Sequence, residues 1–344
     1  MTLRKEATGS GESAGSADGP GGANDPQGEP GSAEGTAAAT PARVLVVVLH
    51  WQASHYTRAC LASIRGLHYA NYETLLVDNG SPDQSGTAIA RQFPEVSLLT
   101  LAENRGFAGG CNAAIDYGLK HGAQWIWLLN NDTKVAVDSL ELLMAAAATR
   151  SDIGALGAVV RTGAGEQFAT SGPGQIDFVR AKTYLRRRIP EGQPLVEAEW
   201  LSGSNLLLNA EALRRVGRFD EDYFLYFEDT DLCYRLRRHG WQCILVPAAQ
   251  VEHVGGASTE GKRAYWRAYY YTRNRMLFFF KHKKGPAIVL PLIFIAGHLA
   301  RHTLVLPFRG EPGRQQLRAE LLGLRDYLKG RLGKATCLDW CEQD

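Results

Sequence analysis

Short apolar runs alternate with amphipathic segments through the first half of the chain, and this alternation most constrains the fold. The apolar runs, rich in β-branched residues, occupy 44–49, 73–77, 96–101 and 125–129. Helical patterns separate them over 56–64, 85–92 and 108–120. Strands that alternate with helices at this short spacing are typical of βαβ units. The sequence therefore predicts an α/β fold with a mostly parallel sheet and helices on both of its faces.

The second half of the chain is less regular. We expect strands at 153–160, 206–208 and 242–246 and a helix at 229–239. The Gly- and Arg-rich segment 163–194 is expected to form loops or hairpins over a site, and beyond Thr259 the pattern becomes helical and basic. These changes divide the chain into a tail (1–41), an α/β domain (42–260) and a helical basic region (261–344).

The two ends of the chain carry opposite charge. Residues 1–41 are rich in Gly, Ala, Ser, Pro and Glu, contain no aromatic residue and have a net charge of −4. This composition cannot bury enough apolar surface to offset chain entropy, so we expect a disordered tail. Residues 257–344 contain sixteen basic and seven acidic residues. The net charge of the whole chain is only +2, which argues against a bulk polyelectrolyte partner such as DNA.

The cysteines and the N-terminus indicate the compartment. The six cysteines include no Cys-x-x-Cys pair; they are Cys60, Cys111, Cys233, Cys243, Cys337 and Cys341. Their scatter predicts reduced thiols in a cytoplasmic protein rather than a zinc site or a disulfide framework. The polar N-terminus predicts that no signal peptide opens the chain.

Polar side chains follow each of the first four predicted strands. His50 follows the first strand, Asp78 the second, Asn104 and Arg105 the third, and the Asn-Asn-Asp triplet ending at Asp132 the fourth. Ligands of open α/β sheets bind outside the carboxyl ends of the strands. We therefore expect a site there for a polar ligand and a hard cation.

Two residues near strand ends are candidate metal ligands. Asp132 can coordinate Mg²⁺ or Mn²⁺ while phosphate oxygens complete the shell, or it can close a turn or cap the helix near Ser139. His253 follows the strand at 242–246, and is either a structural histidine or a second ligand beside Asp132.

Two further segments suit a nucleotide. Asp78 precedes a turn at 79–82, so it is either an ordinary turn residue or a hydrogen-bond acceptor for a nucleobase. The segment 104–112, which includes Gly109, lets the backbone approach a ligand at a helix N-terminus and suits a phosphate. It is neither a Walker loop nor a G-x-G-x-x-G motif.

Acidic residues cluster before the helix predicted at 229–239. Helix capping explains acids in that position. However, Phe224, Tyr226 and Phe227 lie next to Glu228 and Asp229 in the sequence. A carboxylate in apolar surroundings can have a raised pKa and act as a general base.

The order of these motifs resembles the inverting family 2 glycosyltransferases of GT-A fold. The resemblance extends over about 43–284 and is greatest to the rhamnosyltransferase-like branch of bacterial cell-surface polysaccharide synthesis. It rests on the ordered set of motifs at 77–81, 104–110, 128–132, 219–224 and 227–231, followed by His253.

The resemblance implies roles for the donor-binding residues. Asp78 matches the acid that contacts the base of a nucleotide sugar, and Asn104 and Arg105 match the loop beside the nucleotide. Gly109 and Asn131 are placed with them as nucleotide-sugar-binding residues.

The resemblance also implies the catalytic and metal-binding groups. Asp132 matches the last acid of the DxD metal motif. Because Asn130 replaces the first acid, Mg²⁺ or Mn²⁺ binding rests on Asp132 and His253. Asp229 matches the general base, with Glu228 as the alternative. The acceptor and sugar side is lined by Trp200 and Gly203.

The basic C-terminal end suggests a membrane surface. The apolar run 288–296 is shorter than the ~20 residues of a spanning helix. An interfacial helix flanked by cations, a packed helical subdomain and a single span are the three alternatives, and the first is favoured. Arginines interleaved with aromatics at 265–275 can also bind single-stranded nucleic acid, but the rest of the chain lacks a nucleic-acid module, so no such partner is expected.

These interpretations predict an inverting, metal-dependent transferase. It would move a sugar from a nucleotide-sugar donor, dTDP-rhamnose by resemblance, to a hydroxyl of a glycan or lipid-linked glycan. The expected location is peripheral, on the inner face of a bacterial cytoplasmic membrane. A polyprenyl-phosphate sugar synthase and a non-catalytic nucleotide-sugar-binding membrane scaffold are the alternatives.

Overall fold

A computed structural model describes residues 40–162, 169–186, 188–190, 192–253 and 263–336. The predicted tail lies outside them except for its last two residues, as do parts of the segment 163–194 and two cysteines, Cys337 and Cys341. The described residues from Pro41 onward form one compact unit. The predicted division at residue 260 stays a prediction.

Strands and helices alternate as the apolar periodicity predicts. The strands are β1 (Val44–His50), β2 (Tyr72–Asp78), β3 (Ser97–Thr100), β4 (Trp125–Asn130), β5 (Thr133–Val135), β6 (Ile153–Thr162), β7 (Ala169–Ser171), β8 (Gly174–Asp177), β9 (Lys182–Leu185), β10 (Val196–Glu197), β11 (Asn205–Asn209) and β12 (Gln242–His253). The helices are α1 (Ser54–Ile64), α2 (Ser85–Gln92), α3 (Gly106–Lys120), α4 (Ser139–Thr149), α5 (Ala210–Val216), α6 (Glu228–Arg238), α7 (Arg263–His282), α8 (Val289–Val305) and α9 (Gly310–Leu328).

The main sheet is mixed. Its order is β10-β12-β6-β11-β4-β1-β2-β3, with β5 paired to β12 and β7 to β6. The pairs β1–β2, β1–β4, β2–β3 and β6–β12 are parallel, whereas β11 runs antiparallel between β4 and β6. Separately, β8 and β9 form the hairpin expected within 163–194. The α/β fold is thus confirmed.

The central strands bury both of their faces. In β1, Val44, Val46 and Val48 pack into one apolar cluster, and Leu45 and Val47 pack into the cluster on the opposite face. Strands covered on both faces require continuous apolar runs, as the sequence has there. The four described cysteines, Cys60, Cys111, Cys233 and Cys243, are buried and free.

Strand register brings the polar strand ends together. His50 pairs with Asp78 across β1 and β2, and Leu49 pairs with Asn130 across β1 and β4. β12 is longer than the strand predicted at 242–246, because an irregularity between Val246 and Gln250 lets it continue. His253 therefore ends a strand instead of lying in a loop after one.

The C-terminal helices extend the α/β unit. Helix α7 packs along α9, and Phe278 and Phe279 of α7 form an apolar cluster with Tyr223 and Phe227. Helix α8 differs, because most of its apolar side chains are exposed and only Pro291 and Ile295 are buried. Within the described part of the chain, one helical stretch, Gly285–Leu328, is long and apolar enough to cross a membrane by length and composition alone.

Candidate active site

The end of β2 presents a buried carboxylate beside a buried histidine. Asp78 accepts a hydrogen bond of 2.9 Å from the backbone N–H of Ser81, and a side chain at Gly86 would collide with its other oxygen. The ring of His50 bonds Thr57 Oγ1 at 2.7 Å and Ser85 Oγ at 2.8 Å. Burial lowers the pKa of His50. The carboxylate of Asp78 therefore stabilises the turn through its bond to Ser81. It also lies at the carboxyl end of β2, where an acceptor for a nucleobase is expected.

Asn79 fixes the loop that precedes α3. Its Oδ1 accepts from the backbone N–H of Arg105 at 3.0 Å, and its Nδ2 donates to the carbonyl of Gly106 at 2.9 Å and to Oδ1 of Asn104 at 3.3 Å. Gly106 has φ +71°, and a Cβ there would collide with Phe224. The loop therefore needs glycine at this position, where it passes against Phe224.

The guanidinium of Arg105 forms an ion pair with Glu221, which lies in the acidic segment 220–222. Its Nη2 lies 3.0 and 3.1 Å from the two carboxylate oxygens of Glu221. A Cβ at Gly109 would meet Arg105 and Glu221, so Gly109 makes room for this ion pair. Burial opposes ionisation of Glu221, but hydrogen bonds from Asn112 and Arg105 outweigh it and lower its pKa. Asn104, Arg105 and Gly109 thus lie together at the start of α3.

The two candidate metal ligands are in contact. Antiparallel pairing sets His253 of β12 opposite Thr133 of β5, the residue after Asp132. Nε2 of His253 lies 3.0 Å from Oδ1 of Asp132 and 3.4 Å from Nδ2 of Asn130. Helix α4 has Asp138 at its N-cap position, so capping that helix does not account for Asp132.

A cavity opens beside Asp132. It measures about 250 Å³ and also borders His55, Tyr56 and Lys134. Asn131 points toward α1, where its Nδ2 donates to Thr57 Oγ1 at 3.1 Å. One carboxylate and one imidazole facing each other are a donor set that suits Mn²⁺ or Mg²⁺.

The candidate base lies at the start of α6. Oδ2 of Asp229 accepts from the backbone N–H of Gly203 at 2.9 Å, and Oδ1 accepts from that of Thr230 at 2.6 Å. Glu228 is buried, and its Oε2 has no hydrogen-bond partner among the described residues. Burial raises the pKa of Glu228, with a further contribution from the charge of Asp229, and burial also raises the pKa of Asp229.

A backbone path connects the base to the metal candidates. The N–H of Asn130 donates to the carbonyl of Ser204 at 3.0 Å, and the neighbouring Gly203 donates to Asp229. This path exists because β11 begins beside the end of β4. A Cβ at Gly203 would lie 3.0 Å from the ring of Phe107 and 3.5 Å from Cβ of Asp229.

Trp200 lies at the other side of this loop. Its Nε1 donates to the carbonyl of Gln175 at 3.1 Å, and its ring covers Gly174, which has no space for a side chain. The indole therefore anchors the β8–β9 hairpin. Gly203, the other residue assigned to the acceptor side, contacts the candidate general base Asp229.

The segment before Glu228 and Asp229 is strained. Phe224, Tyr226 and Phe227 have φ values of 62°, 68° and 75°, which are unusual for bulky side chains. Backbone strain of this kind persists only where surrounding structure holds it in place, and it is concentrated at functional sites.

Two buried polar residues of α7 hold the strained segment. Nδ2 of Asn274 donates to the carbonyls of Tyr223, Leu225 and Tyr226 at 2.8, 2.7 and 2.9 Å. Nη2 of Arg273 donates to the carbonyl of Tyr223 at 3.0 Å. Sequence reasoning missed this role, because it treated 265–275 as basic surface. The polar pair inside an aromatic, apolar helix was the available signal.

Asp231 connects α6 with the end of α7. Its carboxylate is fully buried and contacts Arg235, Lys281 and His282 at 2.7–2.8 Å. Burial opposes ionisation, but the hydrogen bond from His282 and the charges of Arg235 and Lys281 hold the pKa of Asp231 well below its usual range. Asp231 is thus a structural anion, distinct from Glu228 and Asp229.

The architecture matches solved glycosyltransferases. The chain superposes on GalNAc-T7 with UDP, GalNAc and Mn²⁺ with a TM-score of 0.54 and 14% identity, covering 76% of this chain and 55% of that one. It superposes on the mannosyltransferase PcManGT of Pyrobaculum calidifontis, in complex with GDP-Man and Mn²⁺, with a TM-score of 0.53 and 17% identity, covering 85% and 89%. These superpositions show that the chain has a GT-A fold.

Sequence comparison gives the family. The Glycosyltransferase like family 2 model matches residues 41–278, and the chain belongs to this family. It is 31% identical over 238 residues to the N-acetylglucosaminyl-diphospho-decaprenol L-rhamnosyltransferase of Mycobacterium tuberculosis H37Rv, covering 62% of this chain and 76% of that one. It is 23% identical over 290 residues to the dTDP-rhamnosyl transferase RfbF of Shigella flexneri, covering 79% and 91%. The chain is thus an enzyme of the rhamnosyltransferase-like branch, as the order of its motifs predicted.

Proposed function

We propose that this enzyme transfers rhamnose from dTDP-rhamnose to a hydroxyl of a lipid-linked glycan, with inversion at the anomeric carbon. The observation that carries the proposal is the short path from Asp132 and His253 through Asn130, Ser204 and Gly203 to Asp229. It links a donor-phosphate side and an acceptor side of one site. The names of the two curated relatives supply the sugar and the lipid-linked acceptor.

Each side of the site has its own chemistry in this proposal. Asp132 and His253 would hold Mg²⁺ or Mn²⁺, which when bound neutralises charge on the leaving diphosphate. Asp78 accepts a hydrogen bond from the base, and the loop at Asn104 and Arg105 lies against the nucleotide. Gly109 and Asn131 complete the donor side.

On the acceptor side, Asp229 removes the proton from the attacking hydroxyl. Burial raises the pKa of Asp229 and so strengthens the carboxylate as a proton acceptor, because burial makes its charged form less stable. Gly203 orients Asp229 through its N–H. Attack on the face opposite the diphosphate inverts the anomeric centre in one displacement.

The exposed apolar side chains of α8 support a membrane location. Leu292 and Ile293 are 51% and 58% exposed. Such a surface is unfavourable in water and suits the interface of a bilayer, where α8 would lie in the plane of the lipid headgroups. This exposure does not fit the packed-subdomain alternative. We place the enzyme on the membrane face that holds its lipid-linked acceptor.

A donor and acceptor assay tests the function. Purified protein is given Mg²⁺ or Mn²⁺, a panel of nucleotide sugars, and a short-chain lipid-linked N-acetylglucosamine. We expect product with dTDP-rhamnose, with the anomeric configuration inverted by NMR. The variant Asp229→Asn should lose turnover and keep donor binding, whereas Glu141→Gln, which alters an exposed carboxylate on α4, should behave as the wild type. Product formed on a bare lipid phosphate would favour a polyprenyl-phosphate sugar synthase. Donor binding by the wild type without product on any acceptor would favour a non-catalytic scaffold.

A further inference from the structure

A second cavity, larger than the one beside Asp132, lies among the C-terminal helices. It measures about 540 Å³ and is bordered by β9, α7, α8 and α9. Four cationic side chains line it; they are Lys182, Arg267, Arg275 and Arg301. In the part of the chain that the structure describes, none of the four has a carboxylate within salt-bridge distance. The described lining thus carries four cations and one carboxylate, that of Glu320, and the cavity has a net positive charge.

One of these cations is built into the wall. Arg275 is 6% exposed, and it donates from Nε to the carbonyl of Ala181 at 2.5 Å and from Nη2 to that of Arg180 at 3.1 Å. Backbone carbonyls orient the guanidinium without neutralising it. Burying an unneutralised cation costs free energy, so such a group is retained where a ligand supplies the opposite charge.

Among the described residues, one acid lines the cavity, and it is already engaged. Glu320 is buried and accepts hydrogen bonds from Nδ1 of His302 at 2.9 Å and from Nε2 of Gln316 at 3.0 Å. Glu320, His302 and His298 form a group whose ligand atoms lie within 4.8 Å of one another, which is compatible with a metal ion. Four cationic side chains line the same cavity, and their charge disfavours a divalent cation at this group.

Helix α8 connects the cavity with the exposed apolar surface. His298, Arg301 and His302 line the cavity from one side of this helix. Phe294 and Leu290 precede His298 by one and two helical turns, and they are 41% and 51% exposed. A ligand with an anionic head and an apolar chain fits this arrangement, with the head in the cationic cavity and the chain along the exposed apolar side chains of α8.

The cavity also borders the layer behind the catalytic carboxylates. Tyr271 lines it, and the centroid of its ring lies 5.1 Å from that of Phe227, the residue before Glu228. We propose that this cavity binds the diphosphate of a lipid-linked acceptor, with the cations contacting the phosphates and α8 contacting the lipid chain. This inference rests on the proposed function for the identity of the ligand, but not for the presence of an anion site.

Calorimetry on the full-length protein tests the proposal. Inorganic diphosphate and farnesyl diphosphate are titrated in EDTA, so that the donor side has no metal with which to bind phosphate. The double variant Arg267→Glu/Arg301→Glu reverses two cavity charges while leaving buried Arg275 in place. The control Arg309→Glu reverses an exposed arginine of the same region that does not line the cavity.

We expect both diphosphates to bind the wild type and the control, and the double variant to bind them at least tenfold more weakly. Tighter binding of farnesyl diphosphate supports a lipid ligand, and equal binding of the two supports the anion site with a soluble phosphate compound as its source. Asp132→Asn should retain this binding. Equal binding by the double variant and the control overturns the proposal. So does stoichiometric zinc binding that is lost in His298→Ala, without diphosphate binding. If dTDP-rhamnose does not bind but diphosphate does, only the proposed function fails.

Discussion

The backbone N–H of Gly203 donates a hydrogen bond of 2.9 Å to Oδ2 of Asp229. The two residues are 26 positions apart, and they come from opposite sides of the site, one from the loop before β11 and the other from the first turn of α6. The bond leaves the carboxylate ionisable but fixes its direction. Gly203 has no side chain because Phe107 occupies the space beside it.

Removing the carboxylate of Asp229 should separate catalysis from binding. Asp229→Asn keeps the shape and the bond to Gly203 but cannot accept the hydroxyl proton. Loss of a general base costs typically about 10²–10⁴-fold in rate. We therefore expect kcat to fall by that factor, while the Kd for the nucleotide sugar, measured by calorimetry, changes by less than about threefold, since the donor side is untouched. A kcat within a factor of about two of the wild type would assign the base elsewhere, and Glu228→Gln would then be the next variant.

The rate should rise with pH through a raised pKa. Only the deprotonated form of Asp229 accepts a proton, and burial raises its pKa above the ordinary value of about 3.9. The acidic limb of kcat against pH should therefore have its midpoint above that value, and measurement between about pH 3 and pH 9 locates it. A midpoint at or below the ordinary value would contradict a buried base.

Glu228→Gln should stabilise the protein at high pH. Burial raises the folded-state pKa of Glu228 above its unfolded value of about 4.3. The unfolded state therefore releases this proton first, so stability falls as pH rises from the unfolded pKa through the folded one. Glutamine has no such proton. The variant should gain Tm over the wild type at pH 8 and little at pH 4, as thermal unfolding at the two values would show. An equal Tm difference between variant and wild type at both pH values would show that titration of Glu228 does not cause the change in stability.

Nucleotide binding should depend on metal through Asp132 and His253. Removing even an outer-shell partner of a metal costs roughly 10–100-fold in affinity, so Asp132→Ala or His253→Ala should weaken Mn²⁺-dependent dTDP binding at least as much. The control Asn131→Ala removes a neighbouring side chain that bonds Thr57 instead. It should retain metal dependence even if nucleotide affinity changes. Titration of each variant with dTDP, with Mn²⁺ and with EDTA, measures both effects. Binding of dTDP that is unchanged by EDTA would sink the metal assignment.

The sequence predicted the sheet edge well, because strand periodicity and a polar residue after each strand are local signals. Asp78 and Asp132 could be placed on one edge from these signals alone. The contact of His253 with Asp132 needed more, since it depends on the continuation of β12 past Val246 and its pairing with β5. The sequence likewise predicted β11 as a strand, but it did not show that β11 is antiparallel or that it brings Gly203 to Asp229.

The buried groups of α7 could not be predicted in this way. Arg273, Asn274 and Arg275 read as surface residues, because arginine and asparagine are rarely buried. They are buried because their side chains donate to backbone carbonyls of the loop segments 222–226 and 180–181. The course of the first segment includes positive φ angles at Phe224 and Tyr226, which no sequence pattern predicts.

Asn274→Ala should therefore affect both stability and catalysis. It removes the side-chain donor to the carbonyls of Tyr223, Leu225 and Tyr226, of which that of Tyr223 keeps its bond from Arg273. Loss of a hydrogen-bond partner by a buried polar group costs about 1–3 kcal/mol. Relaxation of the strained segment should also admit water to Glu228 and Asp229, which lowers their pKa values and moves the acidic limb of the pH–rate profile downward. The control Gln315→Ala removes an amide that bonds Glu311 on α9. Denaturant unfolding and the pH–rate profile measure the two effects; a lower stability with an unshifted profile would show that Asn274 supports the fold without positioning the base.

The last prediction concerns α8 and the membrane. Burying an exposed isoleucine contributes about 1.5–3 kcal/mol, and 1.4 kcal/mol is a factor of about ten in an equilibrium constant. Ile293→Glu should therefore weaken co-sedimentation with phosphatidylglycerol vesicles at least tenfold. Leu328→Glu makes the same charge change at an exposed residue that ends α9, and should have a small effect. High salt should reduce binding of the wild type without abolishing it, because screening removes the attraction of the basic side chains but not the burial of apolar area. Equal losses in the two variants, or complete loss in salt, would mean that charge alone holds the protein to lipid and that the apolar face of α8 serves another partner.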